Sequence, residues 1–161
     1  VIDFVKKDSL NLKSSYEKIY ISREKASRRR VLNEKHLTEF LYSCGYKTVY
    51  FEEIELENVV SLVSNASCII APHGAGLSNL IYAQPKTKVV EIFSGHISVE
   101  YWYISQQMGL NYNLFQADFP NNLYENPPIN LKDLNHKDRN HMDIKVNISR
   151  LRDFLENLNM I

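Results

Sequence analysis

A chain of 161 residues, 44% hydrophobic and 24% charged, has the size and balance of one globular domain, able to bury about 70% of its unfolded surface without a disulfide or metal staple. Nineteen Lys and Arg against nineteen Asp and Glu give a net charge of zero, which excludes nucleic-acid binding through overall charge and leaves only a local basic patch. No apolar run approaches the roughly 20 residues of a membrane span, and the two cysteines, Cys44 and Cys68, have neither disulfide-framework nor metal-ligand spacing.

The chain opens on Val1 with no signal peptide, so residues 1–17 are expected to be a connecting helix or linker from a preceding amino-terminal domain, with Ile2, Val5 and Leu10 as its apolar positions. Residues 18–161 are expected to be the domain itself. Lys18 to Ser22, rich in β-formers, predicts a strand. Asn33 can cap a helix with Leu37, Phe40 and Leu41 at three-to-four spacing, and Gly45 stops it because glycine enters the left-handed conformation without steric cost. A second strand over Lys47–Phe51, a helix over Leu56–Ser64 and a third strand over Cys68–Ala71 follow, with Cys68 as a small buried thiol. Pro72-His73-Gly74-Ala75-Gly76 breaks this rhythm before a short helix over Leu77–Tyr82. The pattern resumes with a strand over Lys88–Phe93, a helix over Tyr101–Met108 closed by Gly109, and a strand over Tyr112–Phe115. Residues 118–142, with Pro120, Pro127 and Pro128, read as a long loop; a last helix over Ile148–Leu158 is capped by Asn147 or Ser149. Strands alternating with helices predict an α/β, Rossmann-like three-layer sandwich with a parallel sheet.

In such a sheet, ligands bind at the carboxyl ends of the strands. Two unusual segments fall there. The first holds Arg23, Lys25, Arg28, Arg29 and Arg30 against Glu24 alone, either a solvated basic loop or a set of guanidiniums that clamps a diphosphate. The second, Pro72 to Leu77, carries two of only five glycines and is either a tight strand-to-helix turn or a backbone cradle for an anion. It is neither a dinucleotide fingerprint nor a P-loop. Glu91, inside the apolar strand Val89–Phe93, needs a partner: a ribose hydroxyl, or an internal pair with an arginine. The acidic run Glu52, Glu53, Glu55 and Glu57 is assigned to a loop and a helix first turn. His136, His141 and Asp143 read as solvated loop residues rather than metal ligands, and Tyr101, Trp102 and Tyr103 as mostly core, with one of them able to stack on a base or sugar.

Four strings in order, Tyr20-Ile21-Ser22-Arg23, Arg29-Arg30-Val31-Leu32-Asn33-Glu34, Ala71-Pro72-His73-Gly74-Ala75-Gly76-Leu77-Ser78-Asn79-Leu80 and Val89-Val90-Glu91-Ile92-Phe93, resemble glycosyltransferase family 61 over about residues 18 to 115. That family holds bacterial capsular-polysaccharide-type enzymes, plant xylan arabinosyl- and xylosyltransferases and animal O-GlcNAc transferases. The resemblance implies one half of a GT-B-type enzyme: the carboxyl-terminal, donor-binding domain of an inverting transferase that moves a hexose or pentose from a nucleotide sugar, UDP-linked in most of the family, to a glycan or protein-glycan acceptor. It implies no tightly bound cofactor or metal. Carried over by motif, Arg23 and Arg29 meet the diphosphate; His73, Gly74, Ala75, Gly76 and Leu77 border the phosphates and the transferred sugar; Glu91 lies near the nucleoside. His73 is not assigned as base, because acceptor site and base are expected in the amino-terminal domain, and the segment alone need not be active. Ala71 stands where many members have glycine.

Two other readings are carried forward: a non-catalytic nucleotide or polyanion module, and a metal-assisted phosphoesterase using His73, His96, His141 and Asp143. The compartment is read as cytoplasmic, with the secretory lumen as alternative, since Asn65-Ala66-Ser67 and Asn147-Ile148-Ser149 match the glycosylation pattern.

Overall fold

The computed structural model describes residues 17–93, 99–118 and 142–161. Residues 1–16 of the expected linker, His96 and residues 119–141, with the three loop prolines, His136 and His141, lie outside the described residues. Five strands, β1 (Lys18–Ile21), β2 (Lys47–Val49), β3 (Cys68–Pro72), β4 (Lys88–Phe93) and β5 (Asn111–Gln116), alternate with helices α1 (Glu34–Ser43), α2 (Leu56–Asn65) and α3 (Glu100–Gln107), and α4 (Ile148–Asn157) follows. The sheet is parallel throughout, in the order β2-β1-β3-β4-β5. The Rossmann-like three-layer sandwich expected from the alternation is the fold observed.

Side-chain alternation along the strands builds two cores. Tyr20, Ile70, Val90, Ile92 and Phe115 face Leu37 and Leu41 of α1 and Leu151 and Leu155 of α4. Ile19, Ile21, Ile69, Ala71 and Val89 face Val59, Leu62 and Val63 of α2 and Leu77 and Leu80, with Tyr101 and Ile104 of α3 packed against them. Each such buried aliphatic side chain contributes about 1.5–3 kcal/mol over leaving it in water. β3, the central strand, is buried at all five residues, Cys68 included. Gly45 and Gly109 stop α1 and α3 at φ of +85° and +66°, the conformation in which a side chain would be strained. Among the described residues no helix is long and apolar enough to cross a membrane.

Several local expectations are corrected. β2 ends at Val49, and Phe51–Glu53 forms a 3-10 turn because the alternation of apolar residues stops at Phe51. The segment after Gly74 is a 3-10 helix over Ala75–Tyr82, not an α-helix from Leu77; the Asn79 side chain donates to the Gly76 carbonyl at 3.0 Å, a local bond that competes with the α ladder. Asn33 does not cap α1. Its amide nitrogen donates to the Val146 carbonyl at 2.8 Å, and its oxygen accepts from the Val146 amide at 2.9 Å, so the side chain ties the start of α1 to residues 142–146. The cap of α4 is Asn147, which accepts from the Arg150 amide at 3.1 Å.

A candidate anion site at the sheet switch point

The connection after β1 leads to β2 on one side and the connection after β3 leads to β4 on the other, so a crevice opens between the carboxyl ends of β1 and β3. A cleft of about 280 Å³ lies there. Its walls are Ile21–Arg23 at the end of β1, Ala71 and Pro72 at the end of β3, Phe51 and Glu52, and Ala75, Gly76 and Asn79 of the 3-10 helix. Gly76 sits here because a Cβ would come within 3.1 Å of Ile21 Cγ2. Gly74 sits beside it because a Cβ would collide with the Arg23 guanidinium, which lies against its backbone.

The structure sorts the five cations of the basic segment. Lys25 pairs with Glu53, and Arg30 pairs with Asp143 at 2.7 Å while its amide donates to the same carboxylate at 2.9 Å. Arg23 and Arg29 instead each hold a buried Nε without a hydrogen-bond partner. Arg23 donates through Nη2 to the Arg28 carbonyl at 3.2 Å. Burial, then the positive charge of Arg29, pushes the Arg23 guanidinium below its ordinary pKa, with Glu52 pulling the other way. Arg29 is in the left-handed region at φ of 55°, which is uncommon for a residue with a long side chain. It is held from beyond: Ile144 donates to the Arg30 carbonyl at 2.8 Å, and Leu32 donates to the Ile144 carbonyl at 2.8 Å. Two like charges with orphaned donors are costly in isolation, and an anion that accepted from both would satisfy them together.

Beneath this loop lies a buried carboxylate. Glu34, 7% exposed at the start of α1, accepts at Oε1 from the Ser22 hydroxyl at 2.6 Å and from the Tyr20 hydroxyl at 2.9 Å, and its Oε2 has no partner. Burial pushes its carboxyl above the ordinary 4.5, offset in part by those two hydrogen bonds. Ser22 Oγ also accepts from the Glu24 amide at 3.1 Å, so the carboxylate braces the turn that leads from Ser22 into Arg23.

A second carboxylate lies two strands away on the opposite face. Glu91, 1% exposed, accepts from His73 Nδ1 at 2.5 Å through Oε1 and from the Tyr112 hydroxyl through Oε2. Neither partner is an arginine, which replaces the expected internal pair. His73 is placed by its own backbone, whose amide donates to the Ile92 carbonyl at 2.8 Å and so extends the β3–β4 ladder. The Tyr101 ring packs on the imidazole at 5.2 Å between centroids. Burial, then the bond to Glu91, pushes the Tyr112 hydroxyl far above its ordinary pKa and keeps it a donor.

Arg23, Gly74, Ala75 and Gly76 therefore meet at one edge, with His73 directly adjoining. Leu77 is wholly buried and spends its amide on the Gly74 carbonyl at 2.9 Å. Trp102 and Tyr103 are 49% and 58% exposed, which overturns the core reading for both; only Tyr101 turns inward. Asp143 is engaged by Arg30, which removes one ligand from the phosphoesterase reading. Glu34, Ser22, Tyr20 and Tyr112 were assigned no role from sequence; the signal for Glu34 was its place in the second resemblance string. The family described as Glycosyltransferase 61 matches the chain over residues 3–90. That span begins earlier and ends earlier than the run from 18 to 115; it holds both arginines, Glu34 and the glycine turn, and stops one residue before Glu91. No curated protein matches the chain.

Proposed function

The chain belongs to glycosyltransferase family 61, and from that premise we propose that it is the donor-binding domain of a GT-B-type, inverting transferase that uses a nucleoside-diphosphate sugar, UDP-linked by analogy with the family. The observation that carries this reading is the pair of buried, partnerless Nε donors of Arg23, which lines the switch-point cleft, and of Arg29, whose charge acts on Arg23. A diphosphate offers several acceptor oxygens and two negative charges, which satisfy both donors and relieve the repulsion between the guanidiniums. In the reaction an acceptor hydroxyl attacks the anomeric carbon, the bond from that carbon to the diphosphate breaks, and the nucleoside diphosphate leaves. Arg23 and Arg29 stabilise the charge that builds on it, and they gain most in the transition state because they are held in place beforehand. A second Rossmann-like domain binds the glycan or protein-glycan acceptor and holds the base that takes the proton of its hydroxyl.

Calorimetric titration with UDP, GDP, CMP and UDP-sugars tests the reading. One nucleoside diphosphate is expected to bind saturably, and Arg29→Ala to weaken it by about 10- to 100-fold, the loss that goes with a charge-assisted hydrogen bond. A folded chain that binds none of them, or binds UDP equally well without Arg29, would sink the donor reading.

A further inference from the structure

We infer that Glu91 fixes the tautomer of His73, so that its Nε2 stands as a hydrogen-bond acceptor for a hydroxyl of the transferred sugar rather than as a donor to phosphate; the sugar contact rests on the donor-site reading above. A carboxylate only accepts hydrogen bonds. Both oxygens of Glu91 are occupied, Oε2 by the Tyr112 hydroxyl and Oε1 by His73 Nδ1 at 2.5 Å, and so Nδ1 is the nitrogen that carries the proton. A neutral imidazole protonated there has a lone pair on the other nitrogen. The ring has little freedom to exchange the two, since Tyr101 packs on it and its backbone is tied to Ile92. It remains 19% exposed, so a ligand can reach it.

An acceptor nitrogen is mismatched to a diphosphate, whose oxygens carry no proton to give, and matched to a hydroxyl, which does. The neighbouring groups divide the work the same way. Arg23 lies against Gly74, the residue next to His73, and offers only donors. Guanidiniums for the diphosphate and a bare imidazole nitrogen for a sugar hydroxyl make one continuous site of opposite hydrogen-bonding sense. Glu91 is then a positioning residue: it acts on the sugar through His73 and touches no ligand itself.

The tautomer is read directly, without ligand, from nitrogen-15 shifts of labelled chain. A pyrrole-like Nδ1 and a pyridine-like Nε2 are expected; the reverse assignment, or a proton on both nitrogens, overturns the inference. In Glu91→Gln the side-chain oxygen is the acceptor left for Tyr112, its amide N–H faces Nδ1, and the histidine proton is expected to move to Nε2. Tyr112→Phe, which keeps the His73–Glu91 bond, is expected to leave the wild-type pattern and covers the case in which the glutamine variant does not fold. The sugar contact is read by titrating UDP against UDP-glucose, UDP-xylose and UDP-N-acetylglucosamine. Glu91→Gln is expected to weaken the best-bound UDP-sugar about tenfold and UDP less than about twofold. Equal loss for both would make His73 a phosphate contact and overturn the assignment. If the wild-type chain binds no UDP compound, the donor reading has failed and the sugar contact with it, while a pyridine-like Nε2 would still uphold the role of Glu91.

Discussion

Glu34 and Glu91 are both buried carboxylates near the carboxyl end of the same sheet, each bonded to a tyrosine, yet they sit on opposite faces and are completed differently. Glu91 has a donor on each oxygen and nothing left over. Glu34 takes two hydroxyls on one oxygen and leaves the other bare. A carboxylate satisfied on both sides fixes its neighbours, whereas a half-satisfied one is held at a cost that the surrounding fold offsets. The first arrangement orients His73; the second braces the turn into Arg23, whose own donor is also unsatisfied.

The largest effect that separates the two is expected from deleting the closed one. Glu91→Ala strands the Tyr112 hydroxyl and the His73 N–H, and is expected to lower stability by about 3 kcal/mol in urea denaturation. A loss comparable to that of a surface substitution would mean that the network contributes little to the fold. Next comes the open side of the site. Gly74→Ala pushes the Arg23 guanidinium off the backbone; because a flexible side chain can move aside, stability is expected to change by less than about 1 kcal/mol while UDP binding weakens about tenfold. Unchanged binding would show that the resting position of Arg23 is immaterial.

Glu34→Gln is expected to cost less than about 1 kcal/mol at neutral pH, since Oε1 still accepts from Ser22 and Tyr20 and no partner of Oε2 is lost. It also carries a pH signature. The folded chain binds this proton more tightly than the unfolded chain, so Glu34 makes stability fall as pH rises from 4.5 through its raised folded value. Urea midpoints taken across that window are expected to lose this slope in the glutamine variant, and a slope that persists would assign it elsewhere. Asp143 has the opposite sign and the smallest effect. Burial raises its carboxyl, but hydrogen bonds from the Arg30 guanidinium and amide outweigh burial and hold it below 3.8. Its contribution is therefore present above 3.8 and lost as pH falls through the folded value. Asp143→Asn is expected to remove that acid-side loss from the same midpoints.

The repeating elements were legible because each is encoded in a short window. Ile19–Ile21 and Cys68–Ala71 have the composition of buried strands, and Gly45 and Gly109 stop helices by a local conformational rule. The glycine turn and the arginines were legible as segments, and the family match spans both. Their individual roles were not. Asn33 satisfied every local criterion for a cap and was claimed by Val146, 113 residues away. Trp102 and Tyr103 looked like core because aromatics usually bury, but a surface helix has only one inward stripe, and Tyr101 occupies it.

By itself, then, the sequence determined the order of strands and helices, the Rossmann-like class, the family and the two segments that border the cleft, because periodicity, turn chemistry and motif strings act over a few residues at a time. Only the tertiary structure decided which charges are answered and which are left open. Lys25 finds Glu53, Arg30 finds Asp143, Glu91 finds His73 and Tyr112, and Arg23 and Arg29 keep an unanswered donor each. Such pairings join residues 18 to 113 positions apart, and hydrogen bonds are made by distance in space, which no local pattern records.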